Sequence, residues 1–245
     1  MKKLVILILI VLVALTACSR QKIRPGLSTE QKMNLANEYY ERNNYRKAID
    51  YYSNVVFERR SVHTPLAQFR LAESYFQIER YEDAIFEYRE LIRLFPDFRM
   101  NNIAYFRIGE ALFNQSRNPH YSQQETKAAI EAFSIFIDRF PLDEKYQEAV
   151  RYIAEAEYKL LEKKYYNGYI YYKLYDYSSA LMYFAEVLAE NNRDEIDRMS
   201  RYYSALIYLE RKDRDNAYPI VDSLKEYYPG SRETNRVVRL FERTF

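Results

Sequence analysis

The chain has 245 residues, 48% of them hydrophobic, 29% charged and 17% aromatic, with a formal net charge of +2; that suffices for a sizeable core and is too aromatic for long disorder. With only 4 Gly and 7 Pro it lacks the turn-formers of a many-stranded β-sandwich and has no glycine-rich phosphate loop. Two His and one Cys remove most metal centres, disulfides and histidine-based triads, which leaves a helical, tyrosine-rich, non-catalytic protein as the expectation.

Met1-Lys2-Lys3 is a basic start, followed by the unbroken apolar run Leu4–Leu15. Those 12 residues are too few to cross a bilayer core, which takes about 20, but they suit the apolar stretch of a secretory signal over residues 1–17. Leu15-Thr16-Ala17-Cys18 then resembles the bacterial lipobox. That resemblance implies cleavage before Cys18, an S-diacylglycerol on its thiol, an N-acyl chain on the new amine, and no other cofactor. Ser19, where an aspartate would retain an enteric lipoprotein at the inner membrane, favours the periplasmic face of the outer membrane. Residues 18–28 read as a lipidated tether. Loss of Lys2 and Lys3 brings the charge from +2 to 0, and a neutral exported chain lacks the electrostatic footprint of a nucleic-acid binder.

The remainder repeats. Ala48, Ala84, Ala129, Ala180 and Ala217 each open an apolar helical pattern, with Tyr52, Tyr88, Phe133, Phe184 and Val221 four residues on and Val55, Leu91, Phe136, Val187 and Leu224 seven on. Twelve residues before four of those alanines lie Ala36, Ala72, Gly168 and Ala205, each followed after three residues by a tyrosine: Tyr39, Tyr75, Tyr171 and Tyr208. The third unit matches through Gly109 and Leu112, but a polar insertion around residues 117–122 delays its Ala129. Helix–turn–helix repetition at 36–37 residues resembles the tetratricopeptide repeat, in five units over about residues 29–231. The fold class expected is therefore all-α, an α-solenoid of five helical hairpins. A long helix over about 144–174 joins units three and four, and a capping helix covers the carboxy-terminal tail. Pro219 fits the last hairpin only if its helix starts near Asp215 or bends. Units one to three (29–143) form an amino-terminal half, and 144–245 a carboxy-terminal one.

Each first helix carries a second stripe at i, i+4, i+7: Met33, Asn37 and Tyr40; Phe69, Glu73 and Phe76; Phe106, Glu110 and Phe113. In tetratricopeptide arrays this stripe lines the inner groove, so aromatic walls for an extended peptide are expected there. Arg70 and Arg107, 37 residues apart beside the stripe, are candidate partners for a peptide carboxylate. Seven tyrosines lie between residues 165 and 177, one face for the core and the other a candidate interface. His63 and His120 have no second ligand at metal-binding spacing.

Cys18, the five repeats and three segments, Asn44-Tyr45-Arg46-Lys47-Ala48-Ile49, the run from Ala67 to Phe76, and the run from Phe133 to Pro141, are together similar to the BamD family. Its members are lipoprotein subunits of the machine that assembles β-barrels in the Gram-negative outer membrane, and the resemblance covers roughly residues 18–245. It implies a scaffold whose amino-terminal repeats receive the carboxy-terminal signals of unfolded outer-membrane proteins. Its carboxy-terminal repeats would dock a POTRA domain of BamA, alongside other lipoproteins of that complex. The rival is a tetratricopeptide envelope lipoprotein that organises cell-wall synthesis or constriction.

Overall fold

The computed structural model describes residues 26–58 and 61–245; the proposed signal segment, Cys18 and the tether up to residue 25 lie outside them. Among the described residues there are eleven helices and no strand. They fall in two compact units, one ending at Phe98 and the other spanning Arg99–Phe245. The first holds α1 (Thr29–Glu41), α2 (Tyr45–Glu58), α3 (Thr64–Gln77) and α4 (Tyr81–Leu94), each packed on the next. The second holds α5 (Asn101–Gln115), α6 (Gln124–Arg139), the long α7 (Tyr146–Lys173), α8 (Tyr177–Ala189), α9 (Glu195–Glu210), α10 (Arg214–Tyr227) and the capping α11 (Arg232–Thr244). Helical hairpins α1/α2, α3/α4, α5/α6, α7/α8 and α9/α10 account for the five repeats.

The repeat positions are the core. Ala48, Ala84, Ala129, Ala180 and Ala217 are sealed from solvent, as are the large residues four and seven positions later, none more than 2% exposed. Small residues face them: Ala36, Ala72 and Ala205 are fully buried. At Gly109 a Cβ would lie 2.7 Å from the Phe133 ring, and at Gly168 it would lie 2.8 Å from Phe184. In both hairpins, α5/α6 and α7/α8, the helices approach so closely that only hydrogen fits.

The hairpin turns recur as well. Asn43, Glu79, Tyr175 and Lys212 have φ of 57°, 60°, 62° and 56°. Each ends a first helix in the same way: its own N–H returns to a carbonyl three residues back, and the next N–H closes on the carbonyl of the repeat tyrosine. These second bonds run from Asn44 to Tyr39 (2.8 Å), Arg80 to Tyr75 (3.0 Å), Asp176 to Tyr171 (3.0 Å) and Asp213 to Tyr208 (2.9 Å). This is the Schellman closure, usually built on glycine because the left-handed conformation crowds a Cβ. Glu79 is exposed and has no cap of its own to lose. Glu79→Gly is therefore expected to raise stability by about 0.5–1 kcal/mol, read as a higher midpoint in chemical denaturation; a loss would contradict the strain ascribed to that turn.

The third hairpin lacks this turn because the insertion replaces it, leaving Ser116 extended after α5. Gln123 organises the insertion, its Nε2 donating to the carbonyls of Asn118 (3.0 Å) and Tyr121 (3.2 Å), while Lys159 of α7 donates to Ser116 Oγ at 2.7 Å. Pro219 sits in the second turn of α10, which starts at Arg214 behind the cap Asp213; the helix continues through it to Tyr227. At the end of the second unit, Asp197 is 1% exposed and accepts from Arg201 Nε (2.7 Å), Arg201 Nη2 (3.2 Å) and the Tyr228 hydroxyl (2.7 Å), tying α9 to the end of α10.

Candidate peptide-binding surface

In the first unit the stripe residues of α1 and α3 divide by role. Met33 and Phe69 are 3% exposed; Phe69 packs against Tyr88 (6.1 Å between ring centroids) and Phe98 (6.5 Å). Asn37 accepts the Tyr52 hydroxyl at 2.7 Å, and fifteen residues likewise separate Glu73 from the Tyr88 hydroxyl it accepts. These are equivalent positions in successive repeats: a tyrosine fully buried in the second helix takes its one acceptor from the stripe of the first. Glu73 is itself buried.

Tyr40, Arg70 and Phe76 remain at the surface, each half-buried. The Arg70 guanidinium lies 4.9 Å from the centre of the Tyr40 ring. Tyr45 meets Tyr40 edge-on at 5.3 Å, and Tyr81 meets Phe76 edge-on at 5.4 Å. Burial raises the Tyr40 pKa, the Glu73 charge adds to that, and Arg70 opposes it. Tyr52 is pushed up in the same way, chiefly by burial and against Arg70. Among the described residues no carboxylate lies within ion-pair distance of Arg70, whose cation is engaged by Tyr40, through its ring and its hydroxyl.

In the second unit the stripe of α5 meets α7. Phe106 is 1% exposed inside a cluster with Phe133 (5.5 Å), Phe136 (5.4 Å) and Tyr152 (6.1 Å), under the Lys145 ammonium at 4.4 Å. Phe113 is half-buried, edge-on to Tyr152 at 5.0 Å and 5.6 Å from Lys159 Nζ. Arg107 and Glu110 pair with each other, Nη1 to Oε2 at 2.6 Å. Where the first two repeats carry Tyr52 and Tyr88 the third carries Phe133, so no buried hydroxyl asks for Glu110.

The expectation of aromatic walls formed by all four phenylalanines is thus corrected: Phe69 and Phe106, with Met33, fill the spaces between helices. Arg107 is already paired with Glu110. Sequence reasoning also missed Tyr45 and Tyr81, although a detectable signal existed, since each follows its groove aromatic by five residues across the hairpin turn. The tyrosine-rich end of α7 packs on both sides. Tyr169 and Tyr172 lie 5.2 Å and 4.8 Å from Tyr203, Tyr171 stacks on Tyr183 at 5.6 Å, and Tyr175 alone of the run is prominently exposed, at 78%. Among the described residues no three metal-ligating side chains gather, and no helix is long and apolar enough to cross a membrane.

Comparison with known proteins bears on this arrangement. Profiles described as tetratricopeptide repeat match residues 33–97 in one case and residues 103–143 and 199–231 in another, together more than half of the chain. Similar solved structures include a TPR2AB-domain:pHSP90 complex of yeast Sti1 (14% identity over 88% of this chain and 83% of that one, TM-score 0.46). They also include a MamA chain from Desulfovibrio magneticus RS-1 (12%, 83% and 97%, TM-score 0.43) and a thermophilic TPR protein of Thermus thermophilus (15%, 88% and 100%, TM-score 0.36). No curated protein matches the sequence.

Proposed function

The chain belongs to the tetratricopeptide-repeat family, and on that premise we propose a lipid-anchored scaffold of the BamD kind, acting in β-barrel assembly at the outer membrane. Repeat arrays of this family use their surfaces to hold other chains. In this reading the first unit receives the carboxy-terminal signal of an unfolded outer-membrane protein, and the later repeats dock the POTRA domain of BamA. Lipid on Cys18 holds the whole at the periplasmic face of the membrane.

The observation that carries the peptide half is the state of Arg70: a half-buried guanidinium seated on Tyr40, without a carboxylate, on the same helix as Phe76 of the Phe76–Tyr81 pair. A chain ending in an aromatic residue brings both complements, a ring for Phe76 and Tyr81 and a carboxylate for Arg70. Cation and ring recognition together supply register as well as affinity.

Affinity purification from detergent-solubilised envelopes tests the assignment. The tagged protein is expected in the membrane fraction and to recover the barrel-forming subunit and unfolded outer-membrane proteins, whereas Cys18→Ser releases it to the soluble fraction. Recovery of peptidoglycan synthases in their place would support the cell-wall alternative and overturn this reading.

A further inference from the structure

Opposite the Arg70 stripe, α3 contributes the floor of a second feature. A cleft of about 380 Å³ lies between α2, α3 and α4 within the first unit. Its walls include Phe57 and Phe86, whose side chains stand 86% and 60% exposed. Two apolar rings of that size left in water on the two helices that flank α3 already mark a contact surface.

The floor is polar and incomplete. Thr64 and Gln68 line the cleft and are each 3% exposed, yet Thr64 Oγ1 and Gln68 Oε1 have no hydrogen-bond partner among the described residues. A buried polar atom left without a partner costs about 1–3 kcal/mol; the Gln68 carbonyl oxygen can only accept and the Thr64 hydroxyl can accept as well as donate, so the floor offers two positions to a donor entering the cleft. Gln68 Nε2 meanwhile donates to Glu87 Oε2 at 3.0 Å. Glu87 is half-buried and has no cation beside it among the described residues; burial, with Glu90 and Asp83 on its own helix, raises its pKa, opposed by the Gln68 bond. Glu90, also in the lining, is held by Arg93 on the solvent side at 2.6 Å. Among the described residues no lysine, arginine or histidine lines the cleft.

Acceptors below, the Glu87 carboxylate at one side and ring faces at the mouth define the complement: a group rich in N–H donors, positively charged and flat enough to lie against phenylalanine. An ammonium offers three donors from a compact, strongly hydrated point; a guanidinium offers five in a plane that stacks on aromatics. We propose that this cleft takes the arginine side chain of a partner protein, as a docking site separate from the Arg70 surface.

Saturation-transfer NMR on the full chain tests it with the capped pentapeptide Ac-Gly-Gly-Arg-Gly-Gly-NH2. The citrulline and lysine counterparts are run in parallel. Transfer to the arginine methylenes is expected, with the citrulline peptide, equal in shape but uncharged, giving at least fivefold less and the lysine peptide an intermediate value. Glu87→Gln, and separately Phe57→Ala at a largely exposed position, are expected to reduce the arginine signal at least fivefold, while Glu226→Gln on the exposed face of α10 leaves it unchanged. Equal transfer to arginine and citrulline, lysine matching arginine, an unaltered signal in Glu87→Gln, or a loss in Glu226→Gln as large as in Glu87→Gln would each overturn the proposal.

Discussion

Asp197→Ala is expected to cost about 3–5 kcal/mol of unfolding free energy, the range for removing one partner of a buried ion pair. The carboxylate is 1% exposed and the Arg201 side chain 12%. Arg201 would keep Nη1 on Ser223 Oγ at 3.0 Å and its place 5.2 Å from the Tyr227 ring, but no anion. Tyr228, whose hydroxyl is held protonated chiefly by burial and then by its bond to Asp197, would lose its acceptor in the same step. Because α9, α10 and the chain leading into α11 meet there, the loss should appear as an early transition of the second unit. Urea unfolding followed by circular dichroism measures it, and a change under about 1 kcal/mol would show that the pair contributes little where it sits.

Phe133→Ala should fall in the same range, about 3–5 kcal/mol. The ring is sealed from solvent, stacked on Tyr152 at 4.9 Å and 4°, and edge-on to Phe106 at 5.5 Å. The same ring makes Gly109 obligatory. Glycine to alanine inside a helix ordinarily gains about 1 kcal/mol. Here the added methyl would stand 2.7 Å from two ring carbons of a side chain with no room to retreat. Gly109→Ala is expected to lose about 1–3 kcal/mol instead. In the Phe133→Ala background the clash is gone, and the alanine should again stabilise. A double-mutant cycle reads that reversal directly; additive effects would contradict the close approach of α5 and α6.

The repeat was legible because its spacing answers to one cause, the need of each hairpin to hide a face. Ala48, Tyr52 and Val55 with their equivalents could be placed from order alone, and so could the insertion around residues 117–122 and the uninterrupted helix that became α7. The inner stripe was less so. A stripe fixes the direction in which a side chain leaves its helix but not what stands over it. Phe69 is covered by Tyr88 and Phe98, and Phe106 by residues of α6 and α7. Asn37 and Glu73 were read as polar groove contacts, whereas their use is to satisfy Tyr52 and Tyr88, a need visible only once the hairpin is closed. The left-handed turns escaped altogether, since Asn43, Glu79, Tyr175 and Lys212 share a conformation but no side-chain chemistry.

The function proposed for the first unit turns on Arg70 and a peptide's terminal carboxylate. The direct measurement is the affinity of a ten-residue peptide ending in phenylalanine, as free acid and as amide, for the protein and for Arg70→Ala. The acid is expected to bind the unaltered protein about tenfold more tightly than the amide, a difference of about 1.4 kcal/mol, and to lose that advantage in Arg70→Ala. Equal binding of acid and amide, or a preference that survives without Arg70, would contradict it.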